Sequence, residues 1–144
     1  MASSNAASAV QEGLVAVYDK PNAPFELRMF PIREPRPGQV LVKARMCTIC
    51  RSDVHSYLGH RPNPTPGVLG HEIIGTIVEL GDGVTHDMRG DPLRQGDRIT
   101  WSEYFIPGNS YYTEVLDLPQ KSPGVDKYGH MAVTTAPHHH GGKC

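Results

Sequence analysis

The sequence predicts a mainly β domain, a barrel or sandwich of short strands with one or two short helices. Its apolar residues fall in short runs or alternate with polar ones, a pattern that is typical of strands. Turn-forming residues separate these runs, since 15 glycines and 13 prolines occur among the 144 residues. A chain of this length is sufficient for one domain with a single core.

The first half of the chain supplies a hairpin, a further strand and a short helix. Residues 13–18 and 25–30 are apolar or alternating, and the turn cluster at residues 20–22 between them predicts a hairpin. Residues 40–47 alternate between two faces, which is the clearest strand pattern in the chain. Residues 51–58 have room for a helical turn or two before a proline-rich loop.

The second half supplies two more strands before the pattern becomes irregular. Residues 71–80 are apolar on both faces, which predicts a fully buried strand. Gly75 inside this strand predicts a close backbone approach or a bulge. Residues 98–101 form another short strand, and from residue 102 the chain becomes polar, aromatic and irregular.

Composition and charge indicate which classes of binding partner and which cellular compartment to expect. The formal net charge is -1, which gives no support for a nucleic-acid or acidic-membrane partner. The first ten residues lack the basic and apolar regions of a signal peptide, and no run of 18 apolar residues occurs. The three cysteines suit a reducing compartment. We therefore expect a cytoplasmic protein with one domain at residues 13–136 and flexible tails at residues 1–12 and 137–144.

Cys50 and His71 are the first candidates for chemistry. They stand on either side of the proline-rich loop, and a thiolate with an imidazole is a ligand pair that zinc uses. Alone, the same residues also fit a small buried hydrophobe and a satisfied polar side chain. Cys47 lies three residues before Cys50, so the two cysteines have the Cys-x-x-Cys spacing of a redox pair. The remaining histidines have no identifiable partner and are expected in surface or structural roles: His60, His86, His130 and the terminal tract His138, His139 and His140.

Four motifs carry a family resemblance. They are Cys50-Arg51-Ser52-Asp53-Val54-His55, Gly70-His71-Glu72-Ile73-Ile74-Gly75, Gly81 with Val84, and Gly96-Asp97-Arg98. In order and spacing they resemble the zinc-dependent medium-chain alcohol dehydrogenase family. The resemblance covers residues 13–130, which correspond to the GroES-like catalytic half of those enzymes. It implies a mainly β, GroES-like partly open β-barrel with one or two short helices.

The resemblance assigns metal ligands within these motifs. It implies that Cys50 and His71 bind the catalytic zinc, and that Glu72 orients or transiently replaces one ligand. A zinc ion with an open fourth position polarises an alcohol or carbonyl oxygen as a Lewis acid. The implied cofactor of this site is therefore Zn²⁺.

The resemblance also assigns a proton relay and a cofactor contact. It implies that Ser52 and His55 are catalytic and move the proton toward solvent, because a hydroxyl both donates and accepts and an imidazole takes up protons. Arg51 matches a position that pairs with the pyrophosphate of NAD or NADP. The alternative for Arg51 is a solvated surface charge.

The chain departs from the family at the structural zinc. Many members hold this second zinc with four cysteines, and the corresponding positions here are Pro107, Ser110, Thr113 and Ser122. Proline cannot bind zinc through a side chain, and neutral hydroxyls are poor donors beside thiolates. We expect a degenerate lobe at residues 102–128 with no structural Zn²⁺.

A second departure concerns the cofactor. The sequence contains no Gly-x-Gly-x-x-Gly fingerprint, so a platform for a dinucleotide is not visible. The family's third zinc ligand also lies beyond the last residue of this chain, which leaves the catalytic zinc site incomplete. We expect a truncated domain that is inactive alone.

Two classes of function follow. The first is the zinc-binding catalytic domain of an NAD(P)-dependent alcohol dehydrogenase, acting on a small-molecule alcohol or aldehyde in a full-length relative. The alternative is a non-catalytic GroES-like binding or interaction module, which a large exposed apolar patch would favour. A co-chaperonin subunit is a poorer match, because nothing there requires Cys50, His71 and Glu72 together. The sequence leaves open the substrate, the choice between NAD and NADP, and assembly into a homo-oligomer.

Overall fold

The computed structural model describes residues 11–106 and 110–133 of the chain. Its elements are β1 (Glu12–Val17), β2 (Glu26–Pro31), β3 (Val40–Thr48), α1 (Arg51–Tyr57), β4 (Gly67–Val68), β5 (Glu72–Leu80), β6 (Arg98–Thr100), β7 (Tyr104–Phe105), α2 (Tyr111–Glu114), a 3₁₀ turn (Pro119–Lys121), β8 (Asp126–Lys127) and β9 (Met131–Ala132). Strands dominate and both α-helices are short, which confirms the predicted mainly β class.

β1 and β2 form the predicted hairpin. They pair antiparallel along their whole length. Asn22 in the turn takes a left-handed φ of 57°, a conformation that Asn tolerates better than most residues. Val15 and Val17 are buried, whereas Leu14, which precedes Val15 and faces the other side of the strand, is 58% exposed. The hairpin therefore has one buried face and one exposed apolar face.

β3, β5 and β6 form an antiparallel sheet with β5 in the centre. Along β5, Ile73 and Ile77 are buried, while Glu72, Val78 and Glu79 are exposed. The prediction of a strand buried on both faces is therefore wrong. Antiparallel sheets commonly cover one face only, and here the apolar residues of the second face remain partly in solvent.

Gly75 lies where β3 approaches β5 most closely. The register between the strands shifts between Ala44, which pairs with Gly75, and Met46. A Cβ at Gly75 would collide with the Val42 side chain and would lie 3.0 Å from the carbonyl oxygen of Lys43. The predicted close approach is confirmed.

The main core lies between the hairpin and β4. It consists of Val15, Val17, Val68 and Val133, with Phe30 packed against it. Two backbone hydrogen bonds of 2.8 Å join Tyr18, which follows β1, to Gly67 in β4. The Tyr18 hydroxyl donates to the carbonyl oxygen of Ser56 at 2.8 Å. This bond ties α1 to the hairpin.

β9 pairs with β4 and thereby returns the chain to the loop that precedes β5. Gly129, just before β9, has a φ of 74°, and a Cβ there would lie 2.7 Å from the carbonyl oxygen of Gly70. Only glycine permits both this conformation and this approach. The next residue of each segment is a histidine, and the rings of His71 and His130 lie 5.1 Å apart between centroids.

Within the described ranges, neither α-helix has the length and apolarity that crossing a membrane requires.

Candidate metal centre

His71 lies at the centre of the candidate site, between Gly70 and the first residue of β5. Its side chain is only 7% exposed. Its Nδ1 lies 3.5 Å from an oxygen of Asp53 and its Nε2 lies 3.8 Å from an oxygen of Glu103. Nδ1 is buried without a hydrogen-bond partner. Both ring nitrogens thus face carboxylates.

Asp53 is the buried carboxylate that holds this arrangement together. It lies in the first turn of α1 and is 4% exposed. Its Oδ2 accepts from the backbone N–H of Cys50 at 2.9 Å, and its Oδ1 accepts from the backbone N–H of Gly70 at 3.0 Å. A carboxylate on the far ring nitrogen is the usual partner of a metal-binding histidine, because it fixes the tautomer and the ring orientation. Asp53 belongs to the first sequence motif, but nothing in its spacing predicted this contact.

Three side chains offer ligand atoms at one point. One potential ligand atom from each of His71, Glu103 and His130 lies within 4.8 Å of the others. His130 Nδ1 lies 3.1 Å from Oδ1 of Asn63. With the Asn63 amide oxygen on this side, His130 Nδ1 acts as the donor and Nε2 keeps its lone pair. The sequence identified no partner for His130, and the structure places Asn63 and the His71 ring next to it.

The charges around this group are mixed. Burial lowers the pKa of His130, and the positive charges of Arg61 and His71 lower it further. Lys127 Nζ lies 3.7 Å from the second oxygen of Glu103. The hydrogen bond with Tyr104 raises the pKa of Lys127, and the charge of Glu103 acts in the same direction.

The other predicted zinc ligands lie next to this group but outside it. Cys50 directly precedes α1 and is a half-buried free thiol. The carboxylate of Glu72 is exposed and accepts a hydrogen bond from the Thr48 hydroxyl. The group whose ligand atoms come together in the described part of the chain includes His71 but neither Cys50 nor Glu72. Their role as ligands stays a prediction.

The predicted relay and cofactor residues share α1. Ser52 and His55 are three residues apart, so they lie on neighbouring positions of one helix face, and both are half-buried. Arg51 Nε donates to His55 Nε2 at 3.3 Å. The His55 ring also lies 5.7 Å from the His60 ring between centroids. The structure therefore brings Arg51 to His55, and the roles in relay and cofactor binding stay predictions.

A cavity of about 350 Å³ opens beside Asp53 and Gly70. Its other walls are mostly apolar and include Phe25, Ile49, Val54, Tyr57 and Leu69. Apolar walls with few polar groups are typical of small-molecule sites. The cavity adjoins the buried carboxylate that faces His71.

Three of the four positions predicted to correspond to the structural-zinc cysteines lie close together. Ser122 Oγ donates to Ser110 Oγ at 2.7 Å, and Ser110 Oγ lies 3.2 Å from Thr113 Oγ1. Ser122 is 5% exposed. Pro107 lies outside the described residues. A hydroxyl cluster thus occupies three of the positions that the resemblance assigns to the structural-zinc cysteines, and the absence of a structural zinc stays a prediction.

Comparison with known proteins gives one family. The family "Alcohol dehydrogenase GroES-like domain" matches residues 36–132. The 5-exo-hydroxycamphor dehydrogenase of Pseudomonas putida is 42% identical over 88 residues, which cover 60% of this chain and 24% of that enzyme. A sorbitol dehydrogenase of Halalkalibacterium halodurans is 45% identical over 82 residues, 55% of this chain and 22% of that enzyme.

Solved structures agree with this match. An alcohol dehydrogenase of Thermotoga maritima aligns with 89% of this chain and 35% of its own length, with a TM-score of 0.74 and 32% identity. A dehydrogenase of E. coli CFT073, solved with NADH, aligns with 86% of this chain and 34% of its own, with a TM-score of 0.66 and 28% identity. The predicted GroES-like fold is confirmed. The chain spans about a quarter of the length of these curated relatives.

Proposed function

The chain belongs to the alcohol dehydrogenase GroES-like domain family, and from this membership we propose that it is the zinc-binding catalytic domain of an NAD(P)-dependent alcohol dehydrogenase. The observation that carries the proposal is the placement of His71. This imidazole is buried, faces Asp53 through one ring nitrogen and faces further ligand-type side chains through the other.

The residues present fit a zinc ion. Zinc in proteins is bound by thiolate sulfur, imidazole nitrogen and carboxylate oxygen, and Cys50, His71 and Glu72 offer one of each. The buried Nδ1 of His71 without a hydrogen bond is consistent with a ring that is oriented for a ligand rather than for the core. When bound, zinc supplies Lewis-acid chemistry toward the oxygen of an alcohol or a carbonyl compound.

The chain's own residues perform the supporting steps. Asp53 orients His71 from behind. The Ser52 hydroxyl and the His55 imidazole pass a proton from the substrate oxygen toward solvent. Arg51 turns its guanidinium from His55 to the phosphates of the cofactor, for which its fork geometry is suited.

The apolar lining of the adjoining cavity favours a small, largely apolar substrate. Its apolar walls at Phe25, Val54 and Leu69 can contact the carbon skeleton of an alcohol or aldehyde. Few polar groups such as Asp53 line the cavity, so we expect it to discriminate weakly between alcohols of similar size.

The alternative function is a non-catalytic GroES-like interaction module. The outer face of the hairpin favours it, since Leu14, Leu27 and Met29 are 58%, 69% and 52% exposed. Leu14 pairs directly with Met29, so these side chains form a continuous apolar strip. Such strips mark contact surfaces. Zinc binding separates the two functions, because an interaction module does not require it.

The experiment is a zinc titration by competition with a chelator of known affinity. We expect a dissociation constant between ~1 μM and ~0.2 mM, because two or three ligands give roughly half of the free energy of a four-ligand site. His71→Ala and Cys50→Ser should each weaken binding by about tenfold or more, whereas His86→Ala on the exposed 81–97 segment should not. The zinc affinity should also weaken as the pH is lowered, because protons compete with zinc for the Cys50 thiolate and the His71 imidazole. Equal affinity in the wild type and His71→Ala would overturn the proposal.

A further inference from the structure

We propose that Glu103 and His130 bind the same zinc-class divalent cation as His71, so that this domain carries three ligands of its own for the metal. The proposal deepens the proposed function and rests on it in one respect, namely that His71 is a ligand. It differs in the remaining ligands, which belong to none of the sequence motifs.

The backbone brings the two histidines together. β4 pairs with β9, with Val68 opposite Met131, and the segments next to these residues carry His71 and His130. Gly70 and Gly129 pack at a distance that leaves no room for a side chain on Gly129. The approach of the two imidazoles is therefore built into the fold rather than left to flexible side chains.

A hydrogen bond orients the His130 ring, and two carboxylates flank the His71 ring. His130 Nδ1 lies 3.1 Å from Asn63 Oδ1. In the tautomer in which Nδ1 donates to this oxygen, the Nε2 lone pair is available to bind a cation. His71 directs Nδ1 toward Asp53 and Nε2 toward Glu103. His130 thus has one nitrogen hydrogen-bonded and the other available as a ligand. His71 has the Asp53 carboxylate 3.5 Å from Nδ1 and presents Nε2 to the site, and a carboxylate behind the ring is common for metal-binding histidines.

Glu103 supplies the negative charge. Its two oxygens face different partners, Oε1 toward Lys127 at 3.7 Å and Oε2 toward His71 at 3.8 Å. Lys127 also lies over the Tyr104 ring, 4.5 Å from its centroid. The carboxylate can therefore bind a cation through Oε2 while Lys127 stays on the other oxygen.

The donor set itself selects the metal. Two imidazoles and one carboxylate form a ligand set that catalytic zinc sites use, with the fourth tetrahedral position open. Calcium and magnesium prefer oxygen ligands only, so they should bind poorly here. If Cys50 also binds, as the proposed function includes, the ion has four protein ligands, and an alcohol oxygen then has to bind as a fifth ligand or displace one of them.

The test uses the whole chain with Zn²⁺ or Co²⁺ alone. Isothermal titration gives the affinity, and the cobalt spectrum shows which atoms bind, because only a thiolate ligand adds a strong sulfur-to-cobalt band in the near ultraviolet. The variants are Glu103→Gln and His130→Gln, which keep the side-chain size, together with His71→Ala and Cys50→Ser. The matched controls are Glu34→Gln and His86→Gln at exposed positions. Thermal unfolding with chelator present shows whether each variant is folded.

We expect Glu103→Gln and His130→Gln each to weaken binding of both ions by about tenfold or more while the controls keep wild-type affinity. Wild-type affinity in either variant overturns the three-ligand set. If His71→Ala and Cys50→Ser still lose binding in that case, the proposed function survives; if His71→Ala does not, both proposals fail. Loss of the sulfur band in Cys50→Ser reports on Cys50 alone and supports the proposed function separately.

Discussion

At the scale of single residues, Asp53 illustrates how one side chain can serve the fold and the site together. A buried carboxylate is costly unless its oxygens are hydrogen-bonded, and here both oxygens accept from the backbone, one from Cys50 and one from Gly70. These bonds attach the start of α1 to the loop before β5. His71 follows Gly70 directly, so its ring is held at the same carboxylate.

We predict that Asp53→Ala lowers the free energy of unfolding by about 2–4 kcal/mol. The change removes the acceptor of the buried Gly70 N–H, which costs roughly 1–3 kcal/mol, and of the partly buried Cys50 N–H, whose bond is worth about 1 kcal/mol. Urea denaturation in the presence of chelator measures this without any contribution from metal. Asp19→Ala, at an exposed position, is the control and should stay within about 0.5 kcal/mol of the wild type. A similarly small effect for Asp53→Ala would show that the two hydrogen bonds contribute little.

At the scale of secondary-structure elements, locally encoded strands were predictable and tertiary ones were not. β1, β2, β3, β5 and β6 and the helix α1 were all expected from alternation and turn residues. β4, β7, β8 and β9 were not, because each has two residues and exists only through a partner distant in sequence. The burial of β5 was also mispredicted, since an apolar run does not reveal whether a second layer covers the sheet.

Gly75 provides a test of the β3–β5 packing. We predict that Gly75→Ala destabilises the fold by about 1–3 kcal/mol, the usual cost of overpacking, because the new methyl group collides with Val42. Gly13→Ala in β1 is the matched control, since a Cβ there lies 3.5 Å from Ile32 Cγ1, an ordinary contact. Thermal unfolding should separate the two variants. Equal melting temperatures would mean that β3 moves aside at little cost.

The hydroxyl cluster of α2 and the 3₁₀ turn provides a second test. Ser110, Thr113 and Ser122 are mutually close, so three thiolates at these positions could share one ion. We predict that the triple variant Ser110→Cys/Thr113→Cys/Ser122→Cys binds one more zinc or cobalt equivalent per chain than the wild type, with a sulfur-to-cobalt band. Ser110→Cys alone should not. An unchanged stoichiometry in the triple variant would indicate that the lobe no longer has the geometry of a metal site.

At the scale of the whole molecule, the candidate metal centre depends on contacts between distant parts of the chain. His71 comes before β5, Glu103 lies between β6 and β7, and His130 lies between β8 and β9. The sequence predicted His71 because its motif is contiguous. It could not predict Glu103 or His130, since their proximity results from strand pairing and from the packing of Gly129 on Gly70.

The activity expected of these 144 residues depends on whether the chain can bind a hydride acceptor. Alcohol oxidation requires a hydride acceptor that is held next to the substrate carbon, and orientation of the two reactants accounts for much of the rate. The sequence contains no dinucleotide fingerprint, and in this chain Arg51, the residue proposed to contact the cofactor, instead donates to His55.

We therefore predict that the chain by itself shows no saturable binding of NADH or NADPH in a fluorescence titration. It should also show no zinc-dependent oxidation of a panel of primary and secondary alcohols with NAD or NADP. A full-length alcohol dehydrogenase assayed in parallel is the positive control. Turnover that requires zinc and disappears in His71→Ala would show that this domain binds and orients the cofactor without a recognisable nucleotide-binding motif.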